Sequence, residues 1–287
     1  MDKINYNELL PFYEEGKTIP KKIYQTNRTK EVPSFIKDNI NYLKRINPLW
    51  SYKLYDDNDI ELYIKKYYGE KIFNYYKRID NQYGAAKADL FRYLLIYREG
   101  GVYLDLKSTM YESLDNVLND NDSFILSNWD NKKGEPHEGF GKNYRELSHL
   151  ENGEFMQWYI ISTAGNYLLR RVIINVLKNI DNYSPIKHKV GQDSVFKITG
   201  PNVYTLSIEE CILEGYKKYR IVNIFKDFKF KYSICEQGDF KILRHKNISK
   251  ADYRVAWKPL IKNSNIFRLV FNFIYCKIYK LYIDLKK

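Results

Sequence analysis

The chain has 287 residues, 44% of them hydrophobic, with 47 Lys+Arg against 35 Asp+Glu for a formal charge of +12. That length and apolar content exclude a disordered chain and allow one large domain with a substantial core. Three widely spaced cysteines (Cys211, Cys235, Cys276) with no CxxC exclude a disulfide framework or zinc knuckle and suit a reducing compartment.

In chain order, residues 1–18 read as a helical or irregular lead-in without the apolar stretch of a signal peptide. Lys21–Thr26 (KKIYQT) predicts a short strand after Pro20. Pro33–Ile46 places Phe35, Ile36, Ile40, Leu43 and Ile46 at helical spacing. Trp50–Tyr55 alternates like a strand and stops at Asp56-Asp57-Asn58-Asp59, a turn and helix N-cap. Gly84–Glu99 is the clearest helix: Leu90, Tyr93, Leu94 and Tyr97 recur at i, i+3, i+4, i+7, and Gly100-Gly101 ends it. Val102–Leu104 is then a buried strand ending in Asp105, and Phe124–Ser127 predicts another. Residues 129–153 form a long polar, Gly-rich loop containing His137 and His149, either solvated or facing an acceptor. Phe155–Ile180 reads as largely helical with a break near Gly165, and Val203–Leu213 as a helix. Strands are predicted at 220–224, 228–234 and 240–244. Helices alternating with short strands imply an α/β fold around a mainly parallel sheet, with ligands beyond the strands' carboxyl ends.

The charge is uneven. Residues 217–287 hold 18 Lys+Arg and 5 Asp+Glu, a net of +13, so residues 1–216 sum to −1. No nucleic-acid recognition motif accompanies this excess. Residues 263–287 mix apolar and aromatic positions with Arg268, Lys277 and Lys280, too charged to span a bilayer. Two readings stand: an interfacial helix against anionic lipid, or a terminal helix packed on the domain with its lysines outward.

The segment 85–107 concentrates the chemistry. Asp89 and Arg92 share a helix face at i, i+3, with Leu90, Leu94 and Tyr97 turned to the core. The tight turn into the next strand brings Tyr103 and Asp105 to one strand face. Two carboxylates, a guanidinium and a phenol suit a polyhydroxylated ligand carrying phosphate. Spacing alone equally allows an exposed Asp–Arg pair and a strand-end Asp capping a turn. No HExxH, Walker A or GxSxG pattern occurs.

These residues resemble the family 32 glycosyltransferases, the DXD sugar-binding group, whose core is similar to that of the clostridial glucosylating toxins. Ile19–Thr26 resembles the opening strand motif, and Asn47–Tyr52 with Leu54–Asp57 the second. Ala88–Tyr93 followed by Tyr97 and Gly100–Asp105 resembles the central signature. Thr199-Gly200-Pro201 with Thr205 resembles a later TGP motif, and Leu243-Arg244-His245 with Trp257 the terminal His and Trp. The resemblance implies a GT-A fold over residues 1–262, with 263–287 as a C-terminal helix. It also implies retaining transfer of a sugar from a nucleotide-diphosphate donor to a glycan or lipid-linked saccharide, in surface polysaccharide or glycoconjugate biosynthesis. A catalytically silent sugar- or nucleotide-binding protein of the same fold is the alternative. By the resemblance Asp89 and Arg92 hold the donor sugar, Tyr103 and Asp105 contact nucleotide and ribose, and Gln25 and Thr26 lie at the base-binding strand end. Asp193 either faces the donor or caps a helix. The family's usual Trp after the first strand is replaced by Asn27. The second acid of the signature, normally a ligand of Mn2+ or Mg2+, is Lys107 here, in Asp105-Leu106-Lys107. A lysine repels a cation. It either takes the metal's place against the pyrophosphate, or leaves a metal to Asp105 with His245 or Asp193, or marks lost activity. The expected setting is the cytoplasmic face of a membrane, held peripherally.

Overall fold

The computed structural model describes every residue except 1–3, 142–143, 237–238, 240–253, 255, 263–265 and 286–287. The predicted strand at 240–244, His245 and the boundary at 262/263 therefore fall wholly or partly outside the described residues.

A sheet of six strands forms the centre: β1 (Lys22–Thr26), β2 (Ser51–Tyr55), β3 (Gly101–Leu104), β5 (Phe124–Leu126), β6 (Tyr159–Ser162) and β7 (Arg220–Ile221). Their order is β2-β1-β3-β6-β5-β7. Five run one way; β6 alone is antiparallel to both its neighbours, β3 and β5. The expected α/β class, built around a mainly parallel sheet, is what forms. A separate ribbon pairs β4 (Thr109–Met110) with β8 (Phe230–Lys231).

Strand alternation divides the core in two. Tyr24, Tyr103, Ile160 and Phe124 face one layer, and Ile23, Val102, Ile161 and Ile125 the other. The first layer is covered by α3 (Asp57–Arg78), α4 (Gly84–Glu99), α6 (Tyr167–Asp181), α8 (Gly191–Ile198) and α9 (Pro201–Leu213). The second is covered by α2 (Ser34–Ile46), Trp50, Trp158 and the β4–β8 ribbon. Short helices α1 (Tyr6–Leu9), α5 (Leu114–Val117) and α7 (Pro185–His188) complete the body, and α10 (Ile266–Leu285) packs against α7.

Several local expectations hold to the residue. Asp56 caps α3 in a capping box with Asp59. Helix α4 spans Gly84–Glu99, and Gly100 and Gly101 turn it back at φ 63° and 96°. A side chain there would clash as well: a Cβ at Gly101 would lie 2.7 Å from the Lys22 carbonyl oxygen, so only glycine lets α4 return against β1.

Two expectations change. Residues 159–162 are a strand, not the start of a long helix; the helix begins at Tyr167, beyond Gly165. The run Trp158–Ile161 is apolar and aromatic, and periodicity alone does not separate such a run from buried helix. Helix α4 has no solvent face over Asp89–Tyr97: Asp89 is 2% exposed and Arg92 6%. It lies between the sheet and α3, α6 and α8, so the exposed-pair reading of Asp89 and Arg92 fails.

Candidate active site

A cavity of about 610 Å³ opens beyond the carboxyl end of β3, lined by Asp89, Arg92, Asp105, Lys107, Gln157 and Glu154 among others. Arg92 is its hub. Its Nη2 lies 3.2 Å from Asp89 Oδ1 and its Nη1 3.1 Å from Asp105 Oδ1. Nη1 also donates to the Gln157 carbonyl at 2.8 Å, and the guanidinium stacks 4.6 Å from the Tyr103 ring centre. Facing a phenol and two carboxylates, Arg92 holds its proton more tightly than usual despite its burial. Burial pushes Asp89 up to about 6, against the pull of Arg92, Thr199 and Gln157. Thr199 donates to Asp89 Oδ2 at 3.0 Å and Gln157 Nε2 to Oδ1 at 3.3 Å, so every oxygen of the carboxylate has a partner. Breaking one member of such a buried set leaves an uncompensated charge, which makes the set rigid.

The expected residues converge in graded fashion. Asp89, Arg92, Asp105 and Lys107 line the cavity. Tyr103 is buried beneath it, its hydroxyl 2.9 Å from Thr26 Oγ1 and 3.4 Å from Asp105 Oδ1. Thr26 lines an adjoining cavity of about 350 Å³ with Asn27, Arg28, Asp57 and Lys87, and Ala85 borders both. Gln25 lines neither of these two cavities: fully buried, it donates to the Asp105 carbonyl at 3.1 Å and accepts from the Tyr52 hydroxyl. It positions the Asp105 backbone. Asp193 sits in the first turn of α8, bonded to Lys189 at 2.7 Å, while Gln192 lines the cavity. His149 meets Glu209, and His137 stacks on Phe225 and packs against Trp129 and Phe140 of the cavity wall.

Lys107 Nζ donates to the Tyr232 hydroxyl at 2.7 Å and lies 4.0 Å from that ring's centre. Tyr232 follows β8, so the β4–β8 ribbon fixes the ammonium at the cavity wall. Among the described residues the donor set for a divalent cation is poor: Asp105 is already engaged by Arg92, a lysine stands in place of the second acid, and no three acidic, His or Cys side chains form a group.

Sequence reading missed Gln157, Trp129, Glu154, Trp158 and Tyr232. Gln157 ties β6 to α4 through Asp89, Arg92 and the Tyr93 hydroxyl. These residues share no motif. Only a lone Trp in a polar loop, Trp129, gave a hint.

The sequence pattern of the family described as "Glycosyltransferase sugar-binding region containing DXD motif" matches residues 22–125. The similarity is to this glycosyltransferase region. It runs from β1 through α4 and β3 to β5, so Arg92, Asp105 and Lys107 all lie inside it. Among curated proteins, the chain is 24% identical over 221 residues to the initiation-specific alpha-1,6-mannosyltransferase of Candida albicans, covering 69% of this chain and 54% of that protein. It is 24% identical over 247 residues to a mannosyl phosphorylinositol ceramide synthase of Saccharomyces cerevisiae, covering 77% and 63%. The chain thus spans less than two thirds of the length of these relatives. Among solved structures it is similar to the PaToxG glycosyltransferase, with a TM-score of 0.47 and 16% identity over 72% of this chain and 73% of that one.

Proposed function

We propose that the protein is a retaining glycosyltransferase that moves a sugar, a mannosyl group by analogy with the named relatives, from a nucleotide-diphosphate donor to a saccharide or glycolipid acceptor. The observation that carries this reading is the Asp89–Arg92–Asp105 chain, buried on its inner side and open to the cavity on the other. Arg92 and Asp89 hold hydroxyls of the donor sugar. Thr26 and the adjoining cavity receive the nucleoside, with Asp105 between the two. The acceptor hydroxyl attacks the anomeric carbon on the face the phosphate leaves. The bond from that carbon to the phosphate oxygen breaks, and the departing diphosphate takes the acceptor's proton. The protein's work is then positioning and charge stabilisation.

In this reading Lys107 supplies the positive charge that a metal gives elsewhere in the family, its ammonium held by Tyr232 against the leaving diphosphate. Residues 1–262 are the catalytic unit. Helix α10 docks the enzyme on an anionic membrane: Asn272 and Cys276 are buried, while Phe271, Phe273, Ile274, Ile278 and Leu281 are each 45–63% exposed beside Lys277 and Lys280. Among the described residues no helix is long and apolar enough to cross a membrane.

A thermal-shift panel of UDP-, GDP- and CMP-sugars tests donor use, and a transfer assay in excess EDTA tests Lys107. One donor should raise the melting temperature, with full turnover in EDTA. Turnover abolished by EDTA and restored by manganese would sink the lysine reading.

A further inference from the structure

Glu154 lies in the wall of the donor cavity, yet the transfer scheme above gives it no part. It is 7% exposed. Trp129 Nε1 donates to its Oε1 at 2.9 Å, whereas Oε2 is buried with no hydrogen-bond partner. A buried oxygen left unpaired costs about 1–3 kcal/mol, and a ligand hydroxyl would complete it. The loop is shaped around this carboxyl. Gly141, at φ 71°, accepts from the Glu154 backbone N–H at 3.0 Å, and a Cβ there would fall 2.6 Å from Glu154 Cγ.

The same wall carries Trp129, Phe140 and Trp158, with Phe140 47% exposed. Aromatic faces beside a hydroxyl-accepting carboxyl form a surface that suits a sugar, whose C–H face packs on rings and whose hydroxyls need acceptors. Asp89, Arg92, Asp105, Lys107 and Arg254 share the cavity, and Asp130 and His137 lie on the loop beside Trp129. None of these side chains is hydrogen-bonded to Glu154. Burial therefore dominates and raises the carboxyl to about 7, Trp129 pulling the other way.

We propose that Glu154, Trp129 and Phe140 form the subsite for the acceptor saccharide, a sugar hydroxyl donating to Glu154 Oε2. The inference rests on the transferase reading, and its test is separable from it. Methyl α-mannoside is titrated into the full chain by NMR at pH 6 and pH 8. Wild-type affinity should rise about tenfold as the carboxyl ionises across that window. Glu154→Gln should lose about 10- to 100-fold at pH 8 and most of its pH dependence, with an unchanged melting shift from the nucleotide sugar. Trp129→Phe removes the N–H that favours the carboxylate, so the midpoint of the binding profile should move to higher pH. A Glu154 that is merely structural would leave that midpoint in place. The subsite is overturned if wild type does not bind the mannoside, if Glu154→Gln binds it as tightly at pH 8, or if Trp129→Phe leaves the midpoint unmoved. A blank nucleotide-sugar panel would instead overturn the transferase reading, with the mannoside titration still readable.

Discussion

Helix α4 and helix α10 invert the usual placement of side chains in opposite senses. In α4 a carboxylate and a guanidinium are buried, at 2% and 6% exposure; in α10 five large apolar side chains remain about half exposed beside lysines. Ordinary folding puts charge outside and large apolar groups inside. Each inversion costs stability in the isolated chain, and each is balanced by a different means. In α4 the balance is internal: Arg92 and Asp89 find partners in Asp105, Gln157 and Thr199. In α10 nothing among the described residues covers the outer face, and the proposed anionic surface would meet it beside the +13 charge of the last quarter. In the proposed reading, buried charge marks where a small polar ligand meets the protein, and exposed apolar surface marks where the protein meets something larger.

The comparison predicts a steep ranking of perturbations. Arg92→Ala, which strands Asp89 in the interior, should lower unfolding free energy by about 3–5 kcal/mol in denaturant titrations and abolish transfer. A loss within 1 kcal/mol would show that α4 tolerates an unpaired carboxylate and that the hub is not rigid. Lys107→Ala should leave the fold nearly intact, since its ammonium is at the cavity wall, and cut kcat by about 10²- to 10³-fold in a transfer assay. An unchanged kcat would remove Lys107 from the chemistry.

Glu154→Gln sharpens the contrast through pH. The folded carboxyl titrates near 7 and the unfolded one near 4.5. Between those values the folded chain keeps a proton that the unfolded chain has released, so wild-type stability falls as pH rises through the window and levels off above it. Glutamine removes that dependence. Relative to wild type, the variant should gain about 2 kcal/mol in unfolding free energy between pH 5 and pH 8. A parallel pH profile for the two proteins would refute the buried, neutral carboxyl. The smallest effect on the fold belongs to α10. A chain ending near Ser264 should melt close to the full-length protein yet no longer co-sediment with anionic vesicles. Equal sedimentation of both would place membrane contact elsewhere.

Much of the site was legible because it is local. Asp89 to Lys107 is one helix, one glycine turn and one strand, and within such a segment helical and strand periods dictate which side chains meet. The α4 boundaries, the Asp56 cap and the Tyr103–Asp105 face followed for that reason. Strand β6 was misread because its apolar residues are buried on both sides, which erases the alternation that identifies a strand. Gln157, Glu154 and Tyr232 left no signal at all. They reach the cavity only after β6 inserts antiparallel between β3 and β5 and the β4–β8 ribbon closes over Lys107. Even the polarity of α4 was undecidable beforehand, since the same Asp–Arg spacing serves an exposed ion pair and a buried hub.

The sequence by itself determined the α/β class, the segment that lines the cavity, the lysine at position 107, and the concentration of charge in the last quarter. Each of these is written in neighbouring residues or in composition. Only the tertiary structure decided that Arg92 is enclosed by two carboxylates, that Gln25 supports the Asp105 backbone, and that Glu154 is left with an unpaired oxygen in the cavity wall. Those facts depend on desolvation and on contacts between residues far apart in the chain, and neither is encoded in local spacing.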